Sequence, residues 1–407
     1  MNNNKSIFSI AIVVAALGYF VDIYDLLLFS IIRMPSLESF GLSAEQVKIQ
    51  GEGILIWQMV GLLLGGIIWG VMGDKKGRLS VLFGSILLYS LANIANGLVQ
   101  NVDQYKWVRF IAGLGLAGEL GAGITLVSEL VAKEKRGIAT SLVAGIGLTG
   151  AVFAFVIKQH FDWRTCYFIG GGMGILLLFL RISVFESGMY QLVRDSAIQK
   201  GNFIQLFTNR SRFKRYILNI LIGLPTWLVI GLLITFSNEF GKQMGIKEKI
   251  DPGKAVMYAY VLISIGDIAI GFVSQWLKSR KMALYIFYAI TIFFMVLFFT
   301  AQWNGTANGM YFICAGLGLG TGFWAIFVTM AAEQFGTNLR ATATTTIPNM
   351  VRGMLAIIIL PLFRYLRDFT SYYNAGWITV IIIMSVSIVA LVYIEETFGK
   401  DLNFVEQ

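Results

Sequence analysis

Six charged side chains stand inside long apolar runs of this sequence, and their spacing is the first chemistry it offers. Asp22 and Asp25 share one run, Arg109 and Glu119 share another, and Asp267 and Arg352 occupy two more. Residues three apart lie on one helical face, so Asp22 and Asp25 present their carboxylates together. Such a pair takes up a proton readily, because like charges repel and burial disfavours ionisation. Arg352 keeps its charge, and its planar fork of donors suits a carboxylate or a phosphate. Asp267 is its rival partner. Either the two form a structural bridge, or a protonated Asp267 leaves Arg352 to an anionic substrate. Glu119 stands ten residues from Arg109, about 15 Å along a helix, too far to pair with it. It can take up protons, bind a cationic group on a substrate, or hydrogen-bond to a neighbouring helix. Gln58, Trp324 and Asn349, with Trp57, Trp227 and Asn238, are further candidates to line a cavity. Packing or lipid contact is the competing role for each.

The elements that must position these groups are membrane helices. The chain has 407 residues, 57% hydrophobic and 14% charged, with a mean hydropathy of +0.72, where soluble proteins are about a quarter charged. A run of about 20 apolar residues spans the hydrocarbon layer, and backbone amides in lipid need internal partners, which dictates helices. A charge at the centre of such a helix costs about 2.5–3.5 kcal/mol, so each of the six needs a partner or a function. Twelve spans are expected: 7–32, 51–72, 79–98, 106–131, 138–158 and 163–185, then 213–236, 255–277, 282–301, 307–331, 341–363 and 373–394. The first run is too long for a signal-peptide core and reads as a retained helix. The fold class is therefore an all-α membrane protein, with two pseudo-symmetric six-helix bundles at 1–185 and 213–407 and a cytoplasmic linker at 186–212.

Lys75-Lys76-Gly77-Arg78, Lys133 to Arg136 and Lys278 to Lys281 fall on the side of the linker. The positive-inside rule makes that side cytoplasmic, with both termini there, in a multi-pass protein of the inner membrane. The formal charge of +9 follows this topology and implies no nucleic-acid partner. His160 ends a helix, and Cys166 and Cys314 lie in apolar runs, so neither a disulfide nor a metal cluster is implied. No nucleophile–base set points to an enzyme, no Gly-x4-Gly-Lys-Ser/Thr loop points to ATP, and no cofactor is expected. A monomer suffices.

The halves echo each other. Phe110 to Leu116 resembles Phe312 to Gly318, and Glu129 and Arg136 share their spacing with Glu333 and Arg340. Duplication of this kind places a pathway between bundles that rock to alternate access. Pro225 and Pro348 fall in the seventh and eleventh spans, where they would loosen the helix.

Gly70-Val71-Met72-Gly73-Asp74-Lys75-Lys76-Gly77-Arg78 joins the second and third spans. Its glycines permit a tight turn, and Asp74 suits a neighbouring helix N-terminus. This loop resembles the hallmark loop of the major facilitator superfamily, and the resemblance runs along the whole chain. Its counterpart near Gln275 to Lys281 keeps only a basic character. Arg109 to Glu119 resembles the Arg- and Gly-rich fourth helix of that superfamily, with Gly118-Glu119 as in its metabolite:proton symporters. Trp163-Arg164 and the tail from Glu396 to Leu402 fit that branch and the sugar porters alike. The fifth span lacks the Gly-Pro pair usual in drug:proton antiporters.

The resemblance implies that Asp25 faces Arg109 and that Gly73, Asp74, Gly77, Arg78, Glu129, Arg136, Glu333 and Arg340 form a gating motif. Asp22, Asp25, Arg109 and Glu119 are then the proton-coupling candidates, and Arg352, Asp267, Gln58, Trp324 and Asn349 the substrate-binding ones. The expected function is proton-coupled import of a small anionic or zwitterionic metabolite. A sugar-like uniporter, a proton-driven exporter and a non-transporting sensor are the alternatives.

Overall fold

The structure, a computed structural model, describes residues 10–132, 135–180, 200–300 and 305–406. Twelve of its helices are long and apolar enough to cross a membrane: α1 Ile12–Glu38, α2 Ile49–Lys76, α3 Arg78–Leu98, α4 Val102–Leu130, α5 Arg136–His160 and α6 Trp163–Leu180, then α7 Arg210–Ile234, α8 Pro252–Leu277, α9 Arg280–Thr300, α10 Ala307–Gln334, α11 Arg340–Phe369 and α12 Tyr372–Tyr393. Local chemistry sets their ends. Asn101, Asn209, Asp251, Thr306 and Ser371 each accept a backbone amide at a helix start, the usual work of an N-cap. Gly77, at φ +98°, makes the turn from α2 into α3 that a side chain would strain.

Within the first six helices α2 packs on α4 and α3 on α6; within the second six, α10 packs on α8 and α9, and α7 on α12. The two sets meet along two seams, α2 against α11 and α5 against α8. Both seams are built on small residues. Gly66, Gly70 and Gly73 of α2 face Asn349, Thr342 and Ala341 of α11, and Gly271 of α8 faces Ser141 of α5. Close backbone approach of this kind is how helices associate in lipid.

Three spans are broken. A turn at Thr149 divides α5 into Arg136–Leu148 and Gly150–His160. A turn at Ala117–Gly118 divides α4 into Val102–Leu116 and Glu119–Leu130. A turn at Gly322–Phe323 divides α10 into Ala307–Thr321 and Trp324–Gln334. A π-helical stretch at Val229–Ile234 follows Pro225 in α7, and another at Leu355–Ile359 follows Pro348 in α11, so these two helices depart from α geometry beyond their prolines. The first half of the expected linker, 186–199, lies outside the described residues, as do Lys133 and Glu134; its last residues, 210–212, already belong to α7. Gly201 N donates to Asn338 O at 3.0 Å and ties the linker to the α10–α11 turn. The membrane face on this side is called the linker face below.

Candidate functional site

Asp25 and Arg109 come together as the sequence suggests. Arg109 Nη1 donates to Asp25 Oδ1 at 2.8 Å and Arg109 Nη2 to the Asp25 carbonyl at 3.2 Å, with both side chains wholly buried. The Tyr167 ring lies 5.6 Å from the guanidinium carbon, and its hydroxyl meets that of Tyr105 at 2.7 Å. Asn93 of α3 faces the carboxylate. This polar cluster sits inside the first six helices. Asp22, one turn earlier, is also buried and lies within electrostatic reach of Tyr19.

Tyr19 opens onto a narrow cavity between the two sets of helices. Its walls include Tyr19 from α1, Thr226 and Trp227 from α7, Tyr260 from α8, Trp324 from α10 and Arg352 from α11. Arg352 is 2% exposed. Its Nη1 donates to Asn349 Oδ1 at 3.2 Å, and its guanidinium carbon stands 5.8 Å from the centre of the Trp324 ring. Among the described residues no carboxylate comes within ion-pair reach of Arg352, and its Nε has no hydrogen-bond partner. Asn349 in turn donates at 2.8 Å to the carbonyl of Ala117, at the break in α4. A buried arginine oriented by an amide and an aromatic face, but left without a counter-ion, has the chemistry to hold an anion.

The remaining candidates are dispersed. Asp267 does not pair with Arg352; its Oδ1 accepts the amide of Ala325 at 3.0 Å, at the start of the second half of α10. Gln58 donates to the Leu26 carbonyl at 3.1 Å and ties α2 to α1. Trp57 is half-exposed and lies 4.7 Å from Trp107, on the outer surface. Glu119 is buried in the first turn of Glu119–Leu130, where the helix dipole favours an acid.

The motif residues assemble at the linker face. Asp74 accepts the amides of Ala341 and Thr342 at 3.0 and 2.8 Å and the Thr342 hydroxyl at 2.7 Å. It therefore caps α11 across the seam. Gly73 carries a carbonyl that accepts from Arg78 at 3.1 Å. Glu129 Oε1 is shared by Arg78 at 2.9 Å and Arg340 at 3.1 Å. Glu333 repeats the arrangement with Arg280 at 3.2 Å and Arg136 at 3.3 Å. Arg280 is the residue sequence reasoning missed. It looked like part of a degenerate basic loop because Trp276, 82% exposed, stands four residues before it, as Asp74 does before Arg78. The usable signal was the near-equal spacing of Arg78 from Glu129 and of Arg280 from Glu333.

The C-terminal tail completes this network. Glu396 accepts the Ser279 hydroxyl and the amides of Arg280 and Lys281, at the start of α9. Burial opposes its charge, but those donors outweigh it and hold the carboxyl below the ordinary range. Thr397 donates to Glu333 at 2.8 Å, and the carbonyls of Lys400 and Leu402 accept from Arg136 and Arg340. Glu406 pairs with Arg215 at 3.0 Å.

Comparison with known proteins follows the same lines. The chain is 26% identical to the niacin transporter NiaP of Acinetobacter baylyi, over 96% of this chain and 95% of that protein. It is 25% identical to the sialic acid transporter NanX of Escherichia coli, over 91% and 88%. It superimposes on the proton:xylose symporter XylE with a TM-score of 0.74, covering 98% of each chain at 16% identity. The sequence pattern of the Major Facilitator Superfamily matches residues 8–361. With its twelve apolar helices, the chain is a multi-pass membrane transporter belonging to the Major Facilitator Superfamily.

Proposed function

We propose that this carrier imports a small organic carboxylate with a flat or aromatic body, coupled to protons. Arg352 carries the reading: a fully shielded guanidinium without a counter-ion, against Trp324 and among Tyr19, Trp227 and Tyr260. A carboxylate would take the fork of donors while the aromatic walls stack on the rest of the molecule. The names of similar proteins point the same way: NiaP carries niacin, and other relatives in Escherichia coli and Acinetobacter baylyi are transporters of 3-(3-hydroxy-phenyl)propionate and cis,cis-muconate.

Asp25 and Asp22 are the proton carriers of this scheme. Protonation of Asp25 neutralises its pair with Arg109 and frees α1 to shift against α4. The linker face is the cytoplasmic one, and its Glu129 and Glu333 networks are the gate that opens to release substrate. Glu119 adds a carboxylate at the start of the half-helix that ends near Glu129.

The test is a thermal-shift screen of nicotinate, 4-hydroxybenzoate, cis,cis-muconate, N-acetylneuraminate and xylose, then uptake of the best binder into proteoliposomes. A carboxylate should stabilise the protein, and an inward proton gradient should drive its accumulation. Stabilisation by xylose alone would overturn the substrate class. Uptake indifferent to the gradient and to Asp25→Asn would overturn the coupling.

A further inference from the structure

The broken helices α4 and α10 each begin their second half with a carboxylate at the N-terminus and end it with a glutamate of the linker-face network. In α4 the acid is Glu119, on the half-helix itself, and the far end carries Glu129. In α10 the half-helix Trp324–Gln334 begins with Trp324-Ala325-Ile326 and has no acid in its first turn. Its carboxylate arrives from another helix: Asp267 of α8, wholly buried, accepts the Ala325 amide at 3.0 Å. Its Oδ2 has no hydrogen-bond partner among the described residues. Gly266 and Gly322 lie backbone to backbone beside it, so α8 holds the break in α10 closely.

This half-helix is a short rod with a function at each end. Trp324 at the top faces Arg352, and Glu333 at the bottom joins Arg136 of the first six helices to Arg280 of the second. We propose that Asp267 is a positioning residue for transport: by capping this half-helix from α8, it fixes Trp324 over Arg352 and Glu333 between its two arginines as one unit. The cavity and the linker face then change together. Without the cap the rod tilts on the Gly322–Phe323 turn, Glu333 loses Arg136, and the linker face opens whether or not the cavity is filled. The cavity half of this claim rests on Arg352 being the carboxylate site; the linker-face half does not.

The experiment measures spin–spin distances between labels at Lys76 and Lys278, both exposed on the linker face on opposite sides of the seam, in nanodiscs. The native chain should give one short distribution. Asp267→Ala should move at least half of the pairs to a longer separation, and Asp267→Asn, which keeps an acceptor for the Ala325 amide, should restore the short one. Ala325→Pro removes the donor at a first-turn position that tolerates proline, so it carries the test should Asp267→Ala not fold. A native-like distribution in Asp267→Ala or Ala325→Pro, or an open one in Asp267→Asn, would overturn the proposal. Adding nicotinate or 4-hydroxybenzoate reads the substrate question separately. Should neither alter the native distribution while Asp267→Ala still opens it, the carboxylate reading fails and the positioning role stands.

Discussion

Arg109 of α4 closes on Asp25 of α1 at 2.8 Å with neither side chain touching solvent, and the pair lies within one set of six helices. It therefore controls how α1 sits on α4, whose second half in turn packs on α11 of the other set. Removing one partner of a buried pair strands the other charge at a cost of about 3–5 kcal/mol. Arg109→Ala should accordingly lose most of its folded yield. Asp25→Asn keeps an acceptor and should fold, yet lose at least tenfold in gradient-driven uptake while retaining substrate exchange. Paired uptake and counterflow assays in proteoliposomes check both.

Arg352 supplies the charge in the cavity. Exchanging it for Gln removes charge-assisted hydrogen bonds worth about 1.5–3 kcal/mol, so the Kd for a bound carboxylate should rise roughly 10- to 150-fold. Arg352→Lys keeps the charge but loses the planar fork and should fall between. Tryptophan quenching, for which Trp324 and Trp227 are well placed, reads the affinities.

Glu129 neutralises Arg78 and Arg340 through one oxygen. Glu129→Gln leaves buried Arg340 without a carboxylate and Arg78 with Asp74 at 3.7 Å, and should favour the open linker face. A cysteine at Thr344, whose hydroxyl meets that of Thr125 across the seam at 2.6 Å, should then react with maleimide at least tenfold faster. Truncation after Gly399 removes the carbonyls that hold Arg136 and Arg340 together with the Glu406–Arg215 pair, and should likewise raise the rate, roughly threefold or more.

Glu239 lies beyond the end of α7 on the face opposite the linker. Burial raises its carboxyl above the ordinary glutamate range, with Arg33 pulling the other way. A raised acid contributes its full stability below the unfolded pKa and loses it as pH rises through the folded value. Thermal stability should thus decline over that window, and Glu239→Gln should flatten the decline, with Tm gaining about 1–2 °C at neutral pH.

The sequence made the spans legible because apolar length is a one-dimensional property. It made the Asp25–Arg109 pair and the Glu129 and Glu333 networks legible through duplicated spacing and family resemblance. It could not reveal which helix supplies a cap to another. Asp267 looked like a partner for Arg352 because both are lone charges at mid-membrane, but the turn at Gly322–Phe323 gave it a backbone amide instead. Trp57 likewise sits beside Gln58 in sequence, yet one residue of helical rotation sends it outward to Trp107. The docking of Glu406 on Arg215 leaves no periodic trace in a tail without regular structure.

The α2–α11 seam seats Asn349 on Gly66 and Leu63 on Gly353, and beyond them the two backbones run close at Gly70. A methyl group added at Gly70 would stand 3.0 Å from the Cα of Thr342, against backbone that cannot swing aside. At Gly70 the two halves of this carrier therefore meet on a smooth bearing, where a hydrogen atom leaves one helix room to roll on the other. One alanine there would act as a chock under a wheel, stalling movement while leaving every charged group in place.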